Sequence, residues 1–245
     1  MAELIEGRNA VLEALRAGVP LERVEVANGV KPDALVREVL SRARGAGVTV
    51  TQVDRAALDR VSPRGRHQGM VAYLPAFSYT DLRDVLARTA GADRGFVLVL
   101  DHVTDPGNFG AIVRSAEGAG ADGVIIAERR SAPVTAVVHK AAAGATWHMP
   151  IVRVPNLVRA LGDLKEHGYW VIGASEHAKQ TLWEAPLEGK VALVLGAEGS
   201  GISRLVQSAC DLMVTIPLTG KVGSLNVAQA ATVLLFEWRR REESS

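Results

Sequence analysis

The chain has a single cysteine, Cys210, in 245 residues. One thiol excludes a disulfide framework and a cysteine-based zinc site, which suits a reducing compartment. The six histidines are scattered, and no pair stands at an H-E-x-x-H or comparable spacing, so no metal site is expected. No apolar run approaches the roughly 18 residues that a membrane span needs. The opening MAELIEGRNA carries two acids and no hydrophobic stretch of the signal-peptide kind. A cytoplasmic protein without a membrane partner is therefore expected. An excess of either charge is lacking too: 28 basic and 27 acidic residues give a formal net charge of +1, which leaves room for a basic face within a balanced total.

What the chain does have is apolar content, 48% of its residues. That is enough core for one large α/β domain, or for a small domain followed by a medium one. Residues 1–75 read as the small unit. Helical periodicity runs from Arg8 to Ala17 and stops at Gly18, Val24 to Ala27 is a short strand, and Pro32 to Ala46 is a second helix. Val48 to Val53 alternates as a strand, Arg55 to Val61 makes a short helix, and Met70 to Leu74 a further strand. The order α-β-α-β-α-β predicts helices packed on a sheet. Ser62 to Gly69 reads as a flexible loop holding Arg64, Arg66 and His67, just after Arg60. It either tracks nucleic-acid phosphates or is a solvated basic turn. Residues 76–93 form a linker, in which Thr80-Asp81 can cap a helix from Asp84 to Thr89.

From residue 94 to 245 the pattern changes to short apolar strands alternating with helices. The strands are Phe96 to Leu100, Gly123 to Ala127, Tyr169 to Ala174, Val191 to Leu195 and Met213 to Leu218, and helices begin near Asn108, Val134, Asn156, Ser203 and Leu225. This predicts a parallel sheet covered on both faces, with ligand chemistry at the carboxyl ends of the strands. Three loops stand out there. In Asp101 to Ala116, Asn108 is a natural N-cap, and Arg114 lies six residues on. At about 3.6 residues per turn its guanidinium can reach back toward the strand ends; the alternative is a plain cap and a surface ion-pair partner. In Leu195 to Ser203 the glycines are spaced G-x-x-G-x-G around Glu198. A carboxylate there would repel a pyrophosphate, which argues against a dinucleotide cradle, and an ordinary glycine turn stays open. Met213 to Phe236 is a strand, a glycine-containing loop and a helix from Leu225 with Ser224 as N-cap. That helix is apolar on nearly every face and must be covered by its own domain and by a second subunit. Its polar residues, Ser224, Asn226 and Gln229, cluster at its start.

The other polar and aromatic residues carry weaker signals. His102, His139 and His177 read as ordinary hydrogen-bonded histidines, and Trp147, Trp170 and Trp183 as core or interface residues. Lys221, in a glycine-containing loop, is a candidate phosphate contact, and Arg239, Arg240 and Arg241 complement a helix dipole.

The strand, loop and helix with Ser224-Leu225-Asn226 resemble the third motif of the SpoU (TrmH-type) ribose 2′-O-methyltransferases, of the knotted SPOUT class. DHVTDPGNFGAIVRSA, from Asp101 to Ala116, is similar to the first motif of that family, and LGAEGSGIS to the second. Ile5 to Leu15 and His67-Gln68-Gly69 resemble the signatures of the ribosomal-protein-L30e-like domain that precedes the catalytic domain in bacterial rRNA members. The resemblance implies an α/β protein with an N-terminal L30e-like RNA-binding domain and a C-terminal parallel-sheet domain knotted as a trefoil. It implies S-adenosylmethionine as cofactor, held by the backbone of Gly196, Ile216 and Leu225, with Asn108, Arg114, Glu198, Ser224 and Asn226 lining the reaction site. It implies a homodimer acting on RNA, with a guanosine of 23S ribosomal RNA as the expected target. A tRNA methyltransferase or a catalytically reduced RNA-binding relative is the alternative within the family. A dinucleotide-dependent enzyme is the competitor outside it, and it lacks a G-x-G-x-x-G after Leu100 or Leu195.

Overall fold

The structure, a computed structural model, describes residues 3–62, 65–221 and 223–244. Arg64 therefore lies outside the described residues. The chain forms two compact units, Met1–Ser78 with Val134–Gly144, and Tyr79–Pro133 with Ala145–Ser245.

The first unit contains β1 (Glu3–Glu6), α1 (Arg8–Arg16), β2 (Arg23–Ala27), α2 (Ala34–Gly45), β3 (Thr49–Val53), α3 (Arg55–Val61) and β4 (Met70–Leu74). Its sheet runs β1-β4-β2-β3, antiparallel except for the β2–β3 pair. Strand β1 was not expected: Leu4 and Ile5 between two glutamates offer no run of alternating or continuous apolar residues. It forms by pairing Glu3–Glu6 against the fully buried β4. Val11, Leu12, Val36 and Val39 from α1 and α2 close over Val24, Val26, Met70 and Ala72. The loop before β4 differs from the expected flexible basic turn. His67 is buried, its Nε2 lies 2.8 Å from Asp59 Oδ1, and its Nδ1 accepts a hydrogen bond from Gly69 N at 3.0 Å. His67 is thus a strut; Arg60 and Arg66 remain exposed.

The second unit contains α4 (Leu82–Arg88), β5 (Gly95–Asp101), α5 (Pro106–Ala119) and β6 (Gly123–Ala127). After α6 (Ala136–Ala142), which groups with the first unit, it continues with β7 (Ile151–Val154), α7 (Leu157–Glu166), β8 (Trp170–Ala174), β9 (Gln180–Thr181), β10 (Lys190–Gly196), α8 (Arg204–Ser208), β11 (Leu212–Thr215) and α9 (Val227–Ser244). The helix expected near Val134 as part of the second domain is therefore α6 of the first unit, where Ala136 packs on the core and Lys140 Nζ lies 3.7 Å from Glu13 Oε2. Burial pushes the His139 pKa down, as a half-hydrated imidazolium would be disfavoured there.

Among the described residues the sheet of this unit runs β7-β6-β5-β10-β8-β11-β9, every pair parallel. Strands β5 and β10 are central and bury nearly every side chain, so both faces are covered, as the apolar runs require. No helix among the described residues is long and apolar enough to cross a membrane. Trp147, Trp170 and Trp183 are each half exposed and do not belong to the core; Trp238 does, with its ring 4.5 Å from that of Phe96.

Helix α9 is fixed at its far end by more than dipole complementarity. Arg241 donates to the carbonyls of Leu182, Trp183 and Ala185, the last two at 2.7 and 2.6 Å, and to Glu237 Oε1 at 2.9 Å. Glu237 is buried and also takes two hydrogen bonds from Arg240. The two guanidiniums hold its pKa at about 2 against an ordinary 4.5. A depressed carboxylate pKa contributes stability that is complete above its unfolded value and is lost as pH falls through its folded one. Urea unfolding from pH 6 down to 2 should show this loss, and Glu237→Gln should cost about 2 kcal/mol at neutral pH and flatten the acid dependence.

Candidate active site

The site grows out of two helix starts and one glycine turn at the carboxyl ends of β5, β10 and β11. Both helix starts differ from the sequence expectation by a few residues, and the shift is what frees the polar side chains. Helix α5 is capped by Asp105, whose Oδ1 accepts from Asn108 N at 2.6 Å, with Pro106 in the first turn where no amide hydrogen is needed. Asn108 is therefore inside the helix, not its cap, and its amide is left to point elsewhere. Helix α9 starts at Val227, not Leu225, and Ser224 is not its cap. The cap is Asn226: its Oδ1 accepts from Ala228 N at 2.9 Å and Gln229 N at 3.4 Å, while its carbonyl accepts from Ala230 N at 2.9 Å.

Capping by Oδ1 fixes which end of the Asn226 amide faces outward, because only Nδ2 remains free to donate. Nδ2 donates to Asn108 Oδ1 at 3.0 Å and to Glu198 Oε1. The same Glu198 oxygen accepts from Asn108 Nδ2 and Val227 N, both at 3.3 Å. Three segments far apart in the chain thus meet on one exposed carboxylate oxygen.

The turn that presents Glu198 is tight. Gly201 N donates to Ala197 O at 2.9 Å, and Gly199 and Gly201 both take left-handed backbone (φ 82° and 64°), which glycine adopts without a side-chain clash. Gly196 is needed for a different reason: a Cβ there would stand 2.0 to 2.2 Å from backbone atoms of Gly201 and Ile202. Below the turn, Asp101 is 1% exposed and holds Ser203 N through Oδ2 at 2.7 Å and His102 Nδ1 through Oδ1 at 2.5 Å. His102 is hydrogen-bonded as expected, and Asp101 and Asp105 are supporting residues the sequence reading did not single out. Their signal was present, since each carboxylate sits directly beside a strand end or a proline-led helix start.

Beside this cluster lies a cavity of about 810 Å³ at the ends of β8, β10 and β11. Gly196, Ile216 and Leu225 line it, together with Glu198, Ser224 and Asn226. Asn108 joins through its hydrogen bonds to Glu198 and Asn226. Arg114 does not join: it is exposed, and it makes no hydrogen bond or ion pair among the described residues. Six residues of α-helix turn it about 120° away from Asn108, so the reach back to the strand ends is not made within one chain. Ser224 is exposed in its loop and lines the cavity. Lys221 also lines it. Among the described residues no group of histidine, cysteine and acids could hold a metal ion.

The profile of the SpoU rRNA Methylase family matches residues 95–236, and that of the RNA 2′-O ribose methyltransferase substrate-binding domain matches residues 4–80. The chain belongs to the SpoU methylase family. It is 42% identical over 239 residues to an uncharacterized tRNA/rRNA methyltransferase of Mycobacterium avium, covering 98% of this chain and 77% of that protein. Its fold is similar to that of the SpoU methyltransferase AviRb from Streptomyces viridochromogenes in complex with AdoMet, at TM-score 0.69 and 26% identity, covering 100% of this chain and 91% of the other. An AdoMet-bound rRNA methyltransferase from Sinorhizobium meliloti aligns at TM-score 0.66 and 25% identity over 98% of this chain and 87% of that one. The SpoU-type α/β architecture, a substrate-binding domain followed by a parallel-sheet domain, is therefore that of this chain.

In this SpoU-family site, Asn226 serves the helix and the cluster at once. Asn226→Asp keeps the cap but sets a second carboxylate against the exposed Glu198, and the like-charge repulsion raises the pKa of one of the two in the folded state. Such a raised pKa stabilises at low pH and is lost as pH rises. Thermal melts of Asn226→Asp should show falling stability from pH 4 to 8, a slope absent from the parent chain.

Proposed function

We propose that this chain transfers the methyl group of S-adenosylmethionine to a ribose 2′ oxygen of RNA in the cytoplasm, with a guanosine of 23S ribosomal RNA as its target. The observation that carries this reading is the Asn108–Glu198–Asn226 cluster at the edge of a large cavity whose charged lining is weighted toward carboxylates. Glu176 and Glu198 face the cavity against one lysine, Lys221, and His177. That balance is poor for a pyrophosphate and suits a ligand bearing a sulfonium and an ammonium. The volume is in the range of small-molecule sites, about 300–1,000 Å³. The residues present thus fit the cofactor, and Gly196, Ile216 and Leu225 would hold it through their main chain. When bound, S-adenosylmethionine supplies a methyl group activated by attachment to a positively charged sulfur.

The remaining work falls to the chain. Asn226 and Ser224 orient the ribose, and Glu198 keeps both asparagines in place through its shared oxygen. Arg114 binds the phosphate next to the target ribose with its planar fork and holds the hydroxyl in line. The proton of that hydroxyl passes to a phosphate oxygen or to a transiently neutral Arg114. The reading includes a trefoil threading of the three loops, which is supported by the family match over residues 95–236.

The test is transfer of labelled methyl to RNA from cells lacking the protein, followed by mapping of the modified nucleotide. Label on a 23S guanosine is expected; label on tRNA would move the target, and no label with no calorimetric binding of S-adenosylmethionine would end the reading. Arg114→Lys keeps the charge and loses the fork, and turnover should fall at least about tenfold.

A homodimer is also part of this proposal. Helix α9 keeps an uncovered stripe, with Gln229 and Phe236 exposed, the latter by 47%, and Val233 partly so. Arg114 flanks it, since its neighbour Ser115 meets Thr232 of α9 at 2.7 Å. A self-complementary patch of this kind is the usual two-fold solution. Light scattering should give twice the chain mass, and Phe236→Glu should yield the monomer.

A further inference from the structure

The cavity occupies only one half of the carboxyl rim of the parallel sheet. It spans the ends of β10, β8 and β11, while the other half, the ends of β5, β6 and β7, continues away from Asn108 in the opposite direction. Neighbouring strands lie about 4.8 Å apart, so the loop after β6 is one strand beyond the loop that carries Asn108. That loop is Glu128-Arg129-Arg130-Ser131. It is tied to the β5 loop by Ala132 N donating to Val103 O at 2.9 Å, and to β7 by Glu128 N donating to Val154 O at 2.8 Å.

Three observations mark this loop as more than a solvated turn. Arg129 and Arg130 are exposed, and neither makes an ion pair or a hydrogen bond among the described residues, although Glu128 is adjacent. Arg130 is held at φ 61°, a left-handed backbone that a residue with a Cβ adopts at a cost. The next side chain, Ser131, has a buried Oγ without a hydrogen-bond partner. One strand further, Arg159 stands exposed in the first turn of α7, where the helix dipole disfavours a cation. Nothing within the fold accounts for three cations in these places. Arg153, also at this edge, is already engaged, with Nη2 donating to Glu128 O at 2.9 Å and its guanidinium over the Tyr79 ring.

We propose that Arg129, Arg130 and Arg159 form a phosphate track for the RNA strand that carries the target ribose, running along the rim from β7 through β6 to the Asn108–Glu198–Asn226 cluster. This rests on the RNA-methylation reading above. In it the sheet divides its rim: one half takes the methyl donor, the other takes the RNA backbone, and the reacting ribose lies at the junction over β5 and β10. The contacts are to phosphates, so they set position and register and leave base identity to other residues.

The test uses Arg129→Ala and Arg130→Gly, singly and combined. Glycine adopts the left-handed backbone at Arg130 freely, so Arg130→Gly should melt at or above the temperature of the parent chain while losing its phosphate contact. Fluorescence anisotropy with a short labelled single-stranded RNA, over a series of salt concentrations, reads the contacts directly. The double variant should bind about tenfold more weakly, and the slope of log K against log salt should shrink by about 1.4, roughly 0.7 for each phosphate lost. Calorimetric affinity for S-adenosylmethionine should be unchanged. Arg129→Lys with Arg130→Lys should restore most of the binding. Unchanged RNA affinity and salt slope in the double variant, with a parent chain that binds RNA, would overturn the track alone. A parent chain that neither binds RNA nor transfers methyl to it would instead overturn the functional reading beneath it.

Discussion

One oxygen of Glu198 joins the turn after β10 to the starts of α5 and α9. Its three donors come from side chains and backbone separated by 28 to 90 positions, and Asn226 bridges a further 118 to Asn108. An acceptor with ordered donors on several sides cannot move without leaving amides unpaired, so the position of each loop is fixed by the other two. The glycines make this possible: the turn brings its own backbone so close to Gly196 that a methyl group could not fit, and the carboxylate is thereby lifted to the rim. Asp101 braces the turn from below, buried and doubly engaged.

The buried sheet supplies the rigidity on which this depends. Strands β5 and β10 pair along seven residues each, from Gly95 with Lys190 to Asp101 with Gly196, so the register that ends at Gly196 also sets Asp101 beside it. Helix α9 is then secured at both ends by different means. At its start an asparagine caps it; near its end a buried glutamate and Arg241 tie it to the segment around Trp183.

Most of this architecture was legible from residue order. The alternation of apolar runs and helices gave the parallel sheet, and the first-unit elements other than β1 fell within one or two residues of their expected limits. The strands that escaped, β1, β7 and β9, all lie at sheet edges. These three carry neither a continuous apolar run of strand length nor a clear alternation, and their pairing is decided by a neighbour the sequence does not name; β3, also at an edge, was legible because it alternates. The loop around His67 was misjudged for a related reason: a histidine among arginines looks solvated until a partner such as Asp59 draws it inward. In the site, the residue types and their clustering were readable, but the caps were assigned to Ser224 and Asn108 where Asn226 and Asp105 perform them. Local order cannot distinguish adjacent polar residues that are all able to cap. Only the three-dimensional meeting at Glu198 selects among them. Arg114 lies about 120° round α5 from Asn108 and makes no hydrogen bond to the cluster among the described residues, an orientation that spacing alone does not give.

The dual duty of Asn226 also has a bearing on biogenesis. Asn108 is synthesised 118 positions before Asn226, and through that interval neither it nor Glu198 has its principal donor. A nascent chain can complete the central strands, yet its chemistry stays unassembled until the segment bearing Asn226 has emerged and coiled. Of the three segments that meet at Glu198, the one bearing Asn226 is thus the last to be made, and the full set of shared hydrogen bonds exists only once it is in place.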